Sequence, residues 1–339
     1  MKITILAALA GLLLAGRAED KIQVVATTPE LRDIAQQIGG ERVEAVNLTR
    51  GPEDPHFVQA RPSLIKATNK ADVFIRNGMS LEVGFEQLVL TEARNPKIQP
   101  GLPTFVDVSR EIPKLQSVFT GVIDRAQGDV HPEGNPHYLH DPMNAKIAAR
   151  AIRDGLIAAA PTNAKDFTDR CDAFSKQIDV EMFGEKLVGR FSSSTLADAL
   201  AQGKLTEFLK SREALADLGG WAGKLLPYSG KAVVSFHQNL NYFTNRFNFD
   251  YMGTLEPKPG IPPSASHLEE LIARMKAKQA KVVFYNVFQS KKPVDKVCAE
   301  TGASPVLFPH QVEATPAATT YIKMMESMVS ETAAAFAKS

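Results

Sequence analysis

Short β-branched strands alternate with amphipathic helices along most of this 339-residue chain, and this alternation is the strongest constraint on its fold. The strand-like run at residues 22–26 is followed by Thr28-Pro29, which supplies an N-cap and a first-turn proline for a helix. That helix is expected to end at Gly39-Gly40. Alternating strands and helices fold into a parallel sheet covered by helices, so the sequence predicts an α/β protein.

The alternation continues through both halves of the chain. Further strands are predicted at residues 43–48, 71–76, 231–236, 282–286 and 305–308. Helices are predicted at residues 62–69, 81–93, 141–159, 164–183, 240–247, 262–278, 293–301 and 319–338. The two sets of units are separated by helical segments, which predicts two lobes with the helix at 164–183 as the connection between them.

The first 18 residues have the pattern of a secretory signal peptide. Lys2 precedes an apolar run at residues 3–15, which is too short to span a bilayer, and small residues at Gly16 and Ala18 match a signal peptidase site. Cleavage is expected after Ala18, which gives an exported, periplasmic protein. Arg17 stands where a lipidated protein needs cysteine, so a lipid anchor is not expected.

The length of the remaining 321 residues (339 − 18) and the net charge of the whole chain limit the class of protein. This length is more than one hydrophobic core usually serves, so two cores are expected. A formal net charge of +1 and the lack of a further membrane-spanning apolar stretch argue against nucleic-acid binding and membrane insertion. Cys171 and Cys298 are the two cysteines, and the sequence leaves open whether they pair.

Four histidines stand where the chain breaks, after a turn or at the end of a strand, and they predict one metal site. They are His56, His137, His237 and His310. Their separations of 81, 100 and 73 residues exclude a local zinc finger. In open α/β sheets, ligands bind outside the carboxyl ends of the strands, which favours convergence of these residues on one cleft.

Several short motifs occur in a fixed order along the chain. They are the run at 24–28, Asp54-Pro55-His56 followed by the segment 61–63, the strand at 71–74, Asn135-Pro136-His137 followed by Asp141-Pro142, His237 ahead of Tyr242-Phe243, and the late segment 321–325. In this order they resemble the zinc- and manganese-binding substrate-binding proteins of bacterial ABC importers. The resemblance covers nearly the whole mature chain.

The resemblance implies two pseudo-symmetric lobes, each a mainly parallel sheet flanked by helices, joined by one long rigid helix with the metal buried between them. The expected division is a signal peptide at 1–18, an N-terminal lobe at 19–160, a connecting helix with a helical insertion at 161–230, and a C-terminal lobe at 231–339. The segment 184–230 is longer than the short link expected in this family.

The family's first three ligands correspond to His56, His137 and His237. Where the family usually presents an aspartate as the fourth ligand, this chain has His310, with Glu313 as the nearest carboxylate. Either His310 completes an all-histidine site, or it points away and another residue or water takes the open position. We favour His310 as the fourth ligand.

Imidazole ligands without a carboxylate suit zinc, whereas manganese prefers mixed sites with more donors, so Zn²⁺ is the predicted ion. Copper(II) binds such nitrogen sites at least as strongly. Because no carboxylate is expected on the ion itself, acidic residues are expected behind the ligands, and Asp54 and Asp141 are the candidates. The alternative role for each is to cap a helix.

The other three histidines are given lesser roles. His131 lies in a polar, glycine-containing run that either guides metal or is an ordinary exposed loop. His140 is expected to be a hydrogen-bonding neighbour of the site, and His267 to be solvated near the start of a helix.

The resulting hypothesis is a monomeric periplasmic protein that captures Zn²⁺ and delivers it to a membrane permease driven by an ATPase, with no covalent chemistry. A stiff connecting helix predicts small lobe motion. Manganese or another divalent ion on the same fold is the first alternative. A secreted zinc hydrolase is a second, disfavoured by the lack of a His-Glu-x-x-His run or an obvious general base. An adhesion or scavenging protein is a third.

Overall fold

The computed structural model describes residues 20–115, 131–258 and 260–338. The predicted signal peptide and its cleavage site, together with most of the polar run before His131, lie outside these residues. Within them the predicted α/β architecture is confirmed: two parallel sheets, each flanked by helices, with a long helix between them.

The N-terminal sheet has four parallel strands in the order β2-β1-β3-β4. Its strands are β1 (Ile22–Ala26), β2 (Val43–Asn47), β3 (Val73–Arg76) and β4 (Phe105–Asp107). The helices of this half are α1 (Pro29–Gly39), α2 (Pro62–Asn69), α3 (Glu86–Ala93) and α4 (Pro142–Ala159). The three-residue strand β4 gives too short a pattern to be predicted from the sequence.

Helix starts in this half follow the predicted signals with one difference. Thr28 and Pro29 occupy the N-cap and first position of α1 as expected, but the Thr28 side chain makes no capping hydrogen bond. Asp141 does cap α4, since its side chain accepts a hydrogen bond from the backbone N–H of Met143. Helix α1 ends at Gly40, whose φ of 57° is a conformation that glycine adopts without strain.

The connection between the two sheets is entirely helical in outline. Helix α5 (Ala164–Phe183) has 20 residues, a length of about 30 Å. Four short helices follow it: α6 (Glu185–Val188), α7 (Ser193–Ala201), α8 (Leu205–Lys210) and α9 (Gly220–Leu225). Helix α9 packs closely on α5, and the absence of a side chain at Gly220 allows this approach. Gly220 has a φ of 60°, and an added Cβ would lie 2.2 Å from the carbonyl oxygen of Glu181.

The C-terminal sheet repeats the first, with four parallel strands in the order β6-β5-β7-β8. Its strands are β5 (Ala232–Ser235), β6 (Asp250–Thr254), β7 (Val282–Tyr285) and β8 (Ser304–Leu307). Its helices are α10 (Asn241–Arg246), α11 (Ala265–Lys278), α12 (Lys291–Thr301) and α13 (Tyr321–Ala337). Strand β6 was not predicted, because its sequence Asp-Tyr-Met-Gly-Thr has a glycine and little apolar character.

The expectation of two separate cores is wrong. The largest hydrophobic cluster extends from Val24 and Ile34 in the first half, through Trp221 in the insertion, to Phe308 and Phe336 in the second half. Two smaller clusters lie on the outer faces, one around Phe74 and one around Leu271. Because the main core crosses the predicted boundaries near residues 160 and 230, the division of the chain into lobes stays a prediction.

Hydrogen bonds also join the two halves directly. The Tyr321 hydroxyl donates to the carbonyl oxygen of Leu139 at 2.7 Å, and the Tyr321 backbone N–H donates to Asp33 at 2.7 Å. The Tyr242 hydroxyl donates to the carbonyl oxygen of Pro113 at 3.0 Å. Buried polar contacts of this kind fix the relative position of two elements, because breaking one leaves an unsatisfied polar group.

The strongest polar link between the halves is the ion pair of Asp141 and Arg246. The Arg246 guanidinium donates Nε and Nη2 to the two carboxylate oxygens of Asp141, each at 2.8 Å, and both side chains are buried. Arg246 also donates to the carbonyl oxygen of Ala197 in the insertion. One arginine therefore ties together helix α4, helix α10 and helix α7.

Replacing Asp141 by asparagine should destabilise the protein by about 3–5 kcal/mol, because the amide still caps α4 but leaves the buried Arg246 charge unpaired. Urea denaturation measures this change in the free energy of unfolding. Asp154→Asn is the matched control, since the Asp154 side chain is 64% exposed beside Arg153 and its loss should cost less than about 1 kcal/mol. Equal effects of the two substitutions would contradict this account.

Candidate metal centre

Three of the four predicted histidines meet between the sheets. His56, His137 and His237 each offer a ring nitrogen, and these nitrogens all lie within 4.8 Å of one another. The ring centre of His56 is 5.1 Å from that of His137 and 5.4 Å from that of His237. The ring centres of His137 and His237 are 5.6 Å apart. We refer to these three residues as the histidine trio.

The spacing of the trio matches tetrahedral coordination. A zinc–nitrogen bond of about 2.0–2.1 Å puts each ring centre roughly 3.2 Å from the ion, and two ligands at the tetrahedral angle then have ring centres roughly 5.2 Å apart. The observed separations of 5.1 to 5.6 Å lie close to this value. The ring centres are therefore spaced as those of three imidazole ligands on one small ion would be.

His56 is positioned by the turn that precedes it. Asp54 is the N-cap of a short 3₁₀ turn at Pro55–Phe57, and its Oδ1 accepts hydrogen bonds from the backbone N–H of His56 at 3.1 Å and from Nδ1 of the ring at 2.7 Å. Burial raises the pKa of Asp54, but its hydrogen bonds with His56 and the charge of that ring lower it below its ordinary value. The sequence-based candidate Asp54 thus lies behind a ligand.

His137 is positioned by Asn135, which links the two halves of the chain at this point. The Asn135 side chain accepts from the backbone N–H of His137 at 3.0 Å and donates to the carbonyl oxygen of Gln238 at 2.7 Å. The Nε2 atom of His137 is buried and has no hydrogen-bond partner among the described residues. Burial holds the pKa of His137 well below its ordinary value, so the ring is neutral and its lone pair is available.

His237 follows strand β5 and has a carboxylate that the sequence analysis missed. Its Nδ1 lies 2.7 Å from Oε2 of Glu256, and both side chains are buried. Glu256 comes two residues after strand β6, the neighbour of β5 in the sheet. Position at a strand end is the signal that indicates the histidines, but it could not indicate Glu256 because strand β6 has no clear sequence pattern.

Asp141, the other carboxylate predicted to lie behind the ligands, has a different role. It caps α4 and pairs with Arg246, as described above. The alternative of a helix cap is therefore the one that the structure supports at this position, because the carboxylate is already satisfied by a guanidinium and a backbone N–H.

His310 lies near the trio, but it does not belong to the group whose ligand atoms all lie within 4.8 Å of one another. Its Nε2 is 3.0 Å from the carbonyl oxygen of Glu53, so this nitrogen donates and Nδ1 carries the lone pair. Nδ1 is buried without a hydrogen-bond partner among the described residues, and burial lowers the pKa of the ring to about 4. As placed, His310 has a free lone pair but is not in contact with a common ion position.

His131 packs beside the trio, as expected if it guides metal, and is not an exposed loop residue. Its ring centre is 5.1 Å from that of His56, and its Nδ1 lies 3.0 Å from the carbonyl oxygen of Met79. Nε2 is buried and unpartnered in the described part of the chain, and burial lowers the pKa to about 3. The polarity of the surrounding run gave no sign that this ring would be packed against a ligand.

The remaining two histidines bind backbone carbonyls. His140 lies 2.8 Å from the carbonyl oxygen of Asn239 and 3.1 Å from that of His310, so it joins the two halves beside the trio. His267 is half-buried rather than solvated, with Nε2 at 2.9 Å from the carbonyl oxygen of Thr254.

A small cavity of about 20 Å³ adjoins the trio, which is room for about one water molecule. Its lining includes His137, His310, Gln311 and Glu30. Oε2 of Glu30 is buried without a partner among the described residues, and burial raises the pKa of this carboxyl to about 7. A carboxylic acid therefore stays largely neutral below pH 7 at the back of the site.

Comparison with known proteins assigns the chain to a family. The family model described as the zinc-uptake complex component A, periplasmic, matches residues 24–181 and 204–335. The chain belongs to this family. Its members are substrate-binding components of metal ABC importers and are not enzymes. The family resemblance drawn from the motifs is thereby confirmed, and residues 182–203 of the insertion fall outside the match.

Individual relatives are distant and differ in the metal they are named for. The chain is 23% identical over 288 residues to the iron-binding protein YfeA of Yersinia pestis, covering 84% of this chain and 75% of that one. It is 24% identical over 283 residues to the manganese-binding lipoprotein MntA of Bacillus subtilis, covering 83% and 76%. A crystal structure of ZnuA superposes with a TM-score of 0.68 at 19% identity, covering 93% and 99%.

The family and the relatives place such proteins outside the cytoplasm. None of the helices in the described parts of this chain is both long and apolar enough to cross a membrane. Cys171 and Cys298 are free thiols in the structure, which answers the question of pairing that the sequence left open.

The Glu30→Gln substitution should stabilise the metal-free protein at pH 8. The pKa of Glu30 is about 7 when folded against 4.5 for an ordinary glutamate, so the native state binds more protons than the unfolded chain between these values. Stability from this group is present below pH 4.5 and is lost as the pH rises through 7, to a maximum of about 3 kcal/mol.

Urea denaturation of wild type and variant at pH 5 and pH 8 checks this sign. Glutamine does not titrate, so the advantage of the variant should be largest at pH 8 and should shrink at pH 5. Glu41→Gln is the control at an exposed position. A pH-independent difference between the Glu30 variant and the wild type would rule out a buried neutral carboxyl.

Proposed function

We propose that this protein captures Zn²⁺ between its two halves and delivers it to the permease of an ABC importer. The observation that carries the proposal is the histidine trio, whose ring spacing fits tetrahedral coordination by imidazole. Imidazole nitrogen with no carboxylate in the group favours zinc over manganese, which prefers more oxygen donors. The relatives named for iron or manganese make those ions the competing candidates.

Two further features support transport of the ion over permanent storage. His56 and His137 come from one half of the chain and His237 from the other, so the ion is released if the halves separate slightly or the loops open. The shared core and the interlobe hydrogen bonds favour small motion, in keeping with the stiff connection expected from α5.

The proposed location is the periplasm, after cleavage near Ala18, with the protein acting as a monomer alongside the permease and its ATPase.

The fourth ligand is proposed to be His310. Its free Nδ1 supports this role, and reaching the ion requires a shift of the loop after strand β8, because His310 is held by Glu53 in the structure. His131 is the competing donor, since its ring already contacts that of His56.

Alanine substitutions distinguish these possibilities. Removal of His56, His137 or His237 should each weaken zinc binding by more than the roughly 10–100-fold that loss of an outer partner costs. Competition titration with a zinc chelator measures the change, and His267→Ala is the control at a histidine outside the site. Wild-type protein that binds no zinc would overturn the proposal.

The fourth position is tested in the same assay with His310→Ala and His131→Ala. The prediction from the sequence is a loss for the first variant and none for the second. The reverse result would assign the position to His131, and unchanged affinity in both would leave water as the fourth donor.

Zinc affinity should fall between pH 7.5 and pH 5.5, because protons and the metal compete for the same imidazole lone pairs and a free imidazole protonates near a pKa of about 6.5. His137 should contribute little to this fall, since burial lowers its pKa and keeps it neutral as the pH drops. Calorimetric titration at the two pH values is the measurement. Equal affinities would contradict a histidine-dominated site.

A further inference from the structure

Two members of the histidine trio carry a carboxylate on the Nδ1 atom of the ring, and each half of the chain supplies one: Asp54 is partly buried and Glu256 is buried. Asp54 lies 2.7 Å from Nδ1 of His56, and Glu256 lies 2.7 Å from Nδ1 of His237. A hydrogen on each Nδ1 donates to the carboxylate, which fixes the tautomer whose lone pair is on Nε2.

The Glu256 carboxylate is held firmly in this position. Its Oε2 accepts a second hydrogen bond from the backbone N–H of Gly260 at 3.1 Å, and its own backbone N–H donates to the carbonyl oxygen of Phe236 at 3.1 Å. Glu256 is only 9% exposed. It therefore cannot swing away from His237 without losing buried hydrogen bonds.

Neither carboxylate is neutralised by a cationic side chain. Across the residues that the structure describes, the ion pair formed by Asp54 is with His56 and that formed by Glu256 is with His237, and no lysine or arginine lies within 4.0 Å of either. This contrasts with Asp141, whose charge is cancelled by Arg246. Two carboxylates without a lysine or arginine partner thus lie behind the ligand rings.

Building on the proposed function, we propose that Glu256 is a positioning residue that balances the charge of a divalent ion together with Asp54. The two carboxylates make the site bind divalent ions in preference to monovalent ions that also bind imidazole. Three neutral imidazole ligands do not offset the charge of a bound dication. Burying that charge is unfavourable in free energy unless an opposite charge lies nearby. The attraction between ion and carboxylate is proportional to the charge on the ion. A dication therefore gains twice what a monocation gains from the same pair.

The test is Glu256→Gln, assayed with zinc and with silver(I) as a monovalent ion that binds imidazole. Glutamine keeps the shape, and its side-chain oxygen still accepts from His237 and Gly260, so the charge alone is removed. Zinc affinity should fall about 10–100-fold, and silver affinity by about the square root of that factor, 3–10-fold.

The ratio of the loss of zinc affinity to the loss of silver affinity distinguishes an effect of the Glu256 charge from simple support of the His237 ring. Equal fold-losses for zinc and silver would overturn the inference, because a misplaced His237 weakens both ions alike, and unchanged zinc affinity would overturn it as well. Asp54→Asn provides a second, independent variant with the same expected ratio. Glu41→Gln is the control, since it removes a charge of the same sign at an exposed position.

The outcome is distinguishable from failure of the proposed function. If wild-type protein binds no zinc, the importer role fails before the variants are compared. If wild-type protein binds zinc tightly and the Glu256 variant binds zinc and silver as the wild type does, the importer role stands and the charge-balancing role of Glu256 is wrong.

Discussion

The convergence of strand ends from two parallel sheets is the constraint on which the rest of the structure depends. Each sheet has the same strand order, and the segments that leave the carboxyl ends of β5, β6 and β8 carry His237, Glu256 and His310. The first sheet faces them with the loops that carry His56 and His137. Because parallel strands all point their carboxyl ends to one edge, residues far apart in sequence meet there without a local motif.

Much of the fold and the centre of the site could be predicted from the sequence. β-branched runs with clear helix caps gave six of the eight strands that the structure describes, and position at strand ends selected the three histidines that the structure brings together. The predictions were good here because the signals are local: periodicity, a proline at a helix start, a histidine after a strand.

The rest depended on contacts that no local pattern records. Strands β4 and β6 are short or glycine-containing, so the carboxylate of Glu256 after β6 went unnoticed. His131 looked like a loop residue, yet tertiary packing places its ring against His56. Length alone indicated two cores, whereas the apolar surface of each half is completed by the other and by the helical insertion.

The shared core has a consequence for how the protein is made. Phe336 of helix α13 belongs to the same cluster as Val24 of strand β1, so the core joins the first strand and the last helix that the structure describes. A polypeptide made from its amino end thus cannot complete this cluster until helix α13 is available. Until then the chain is a long, partly apolar intermediate that has not folded completely, and quality-control proteases can cleave it.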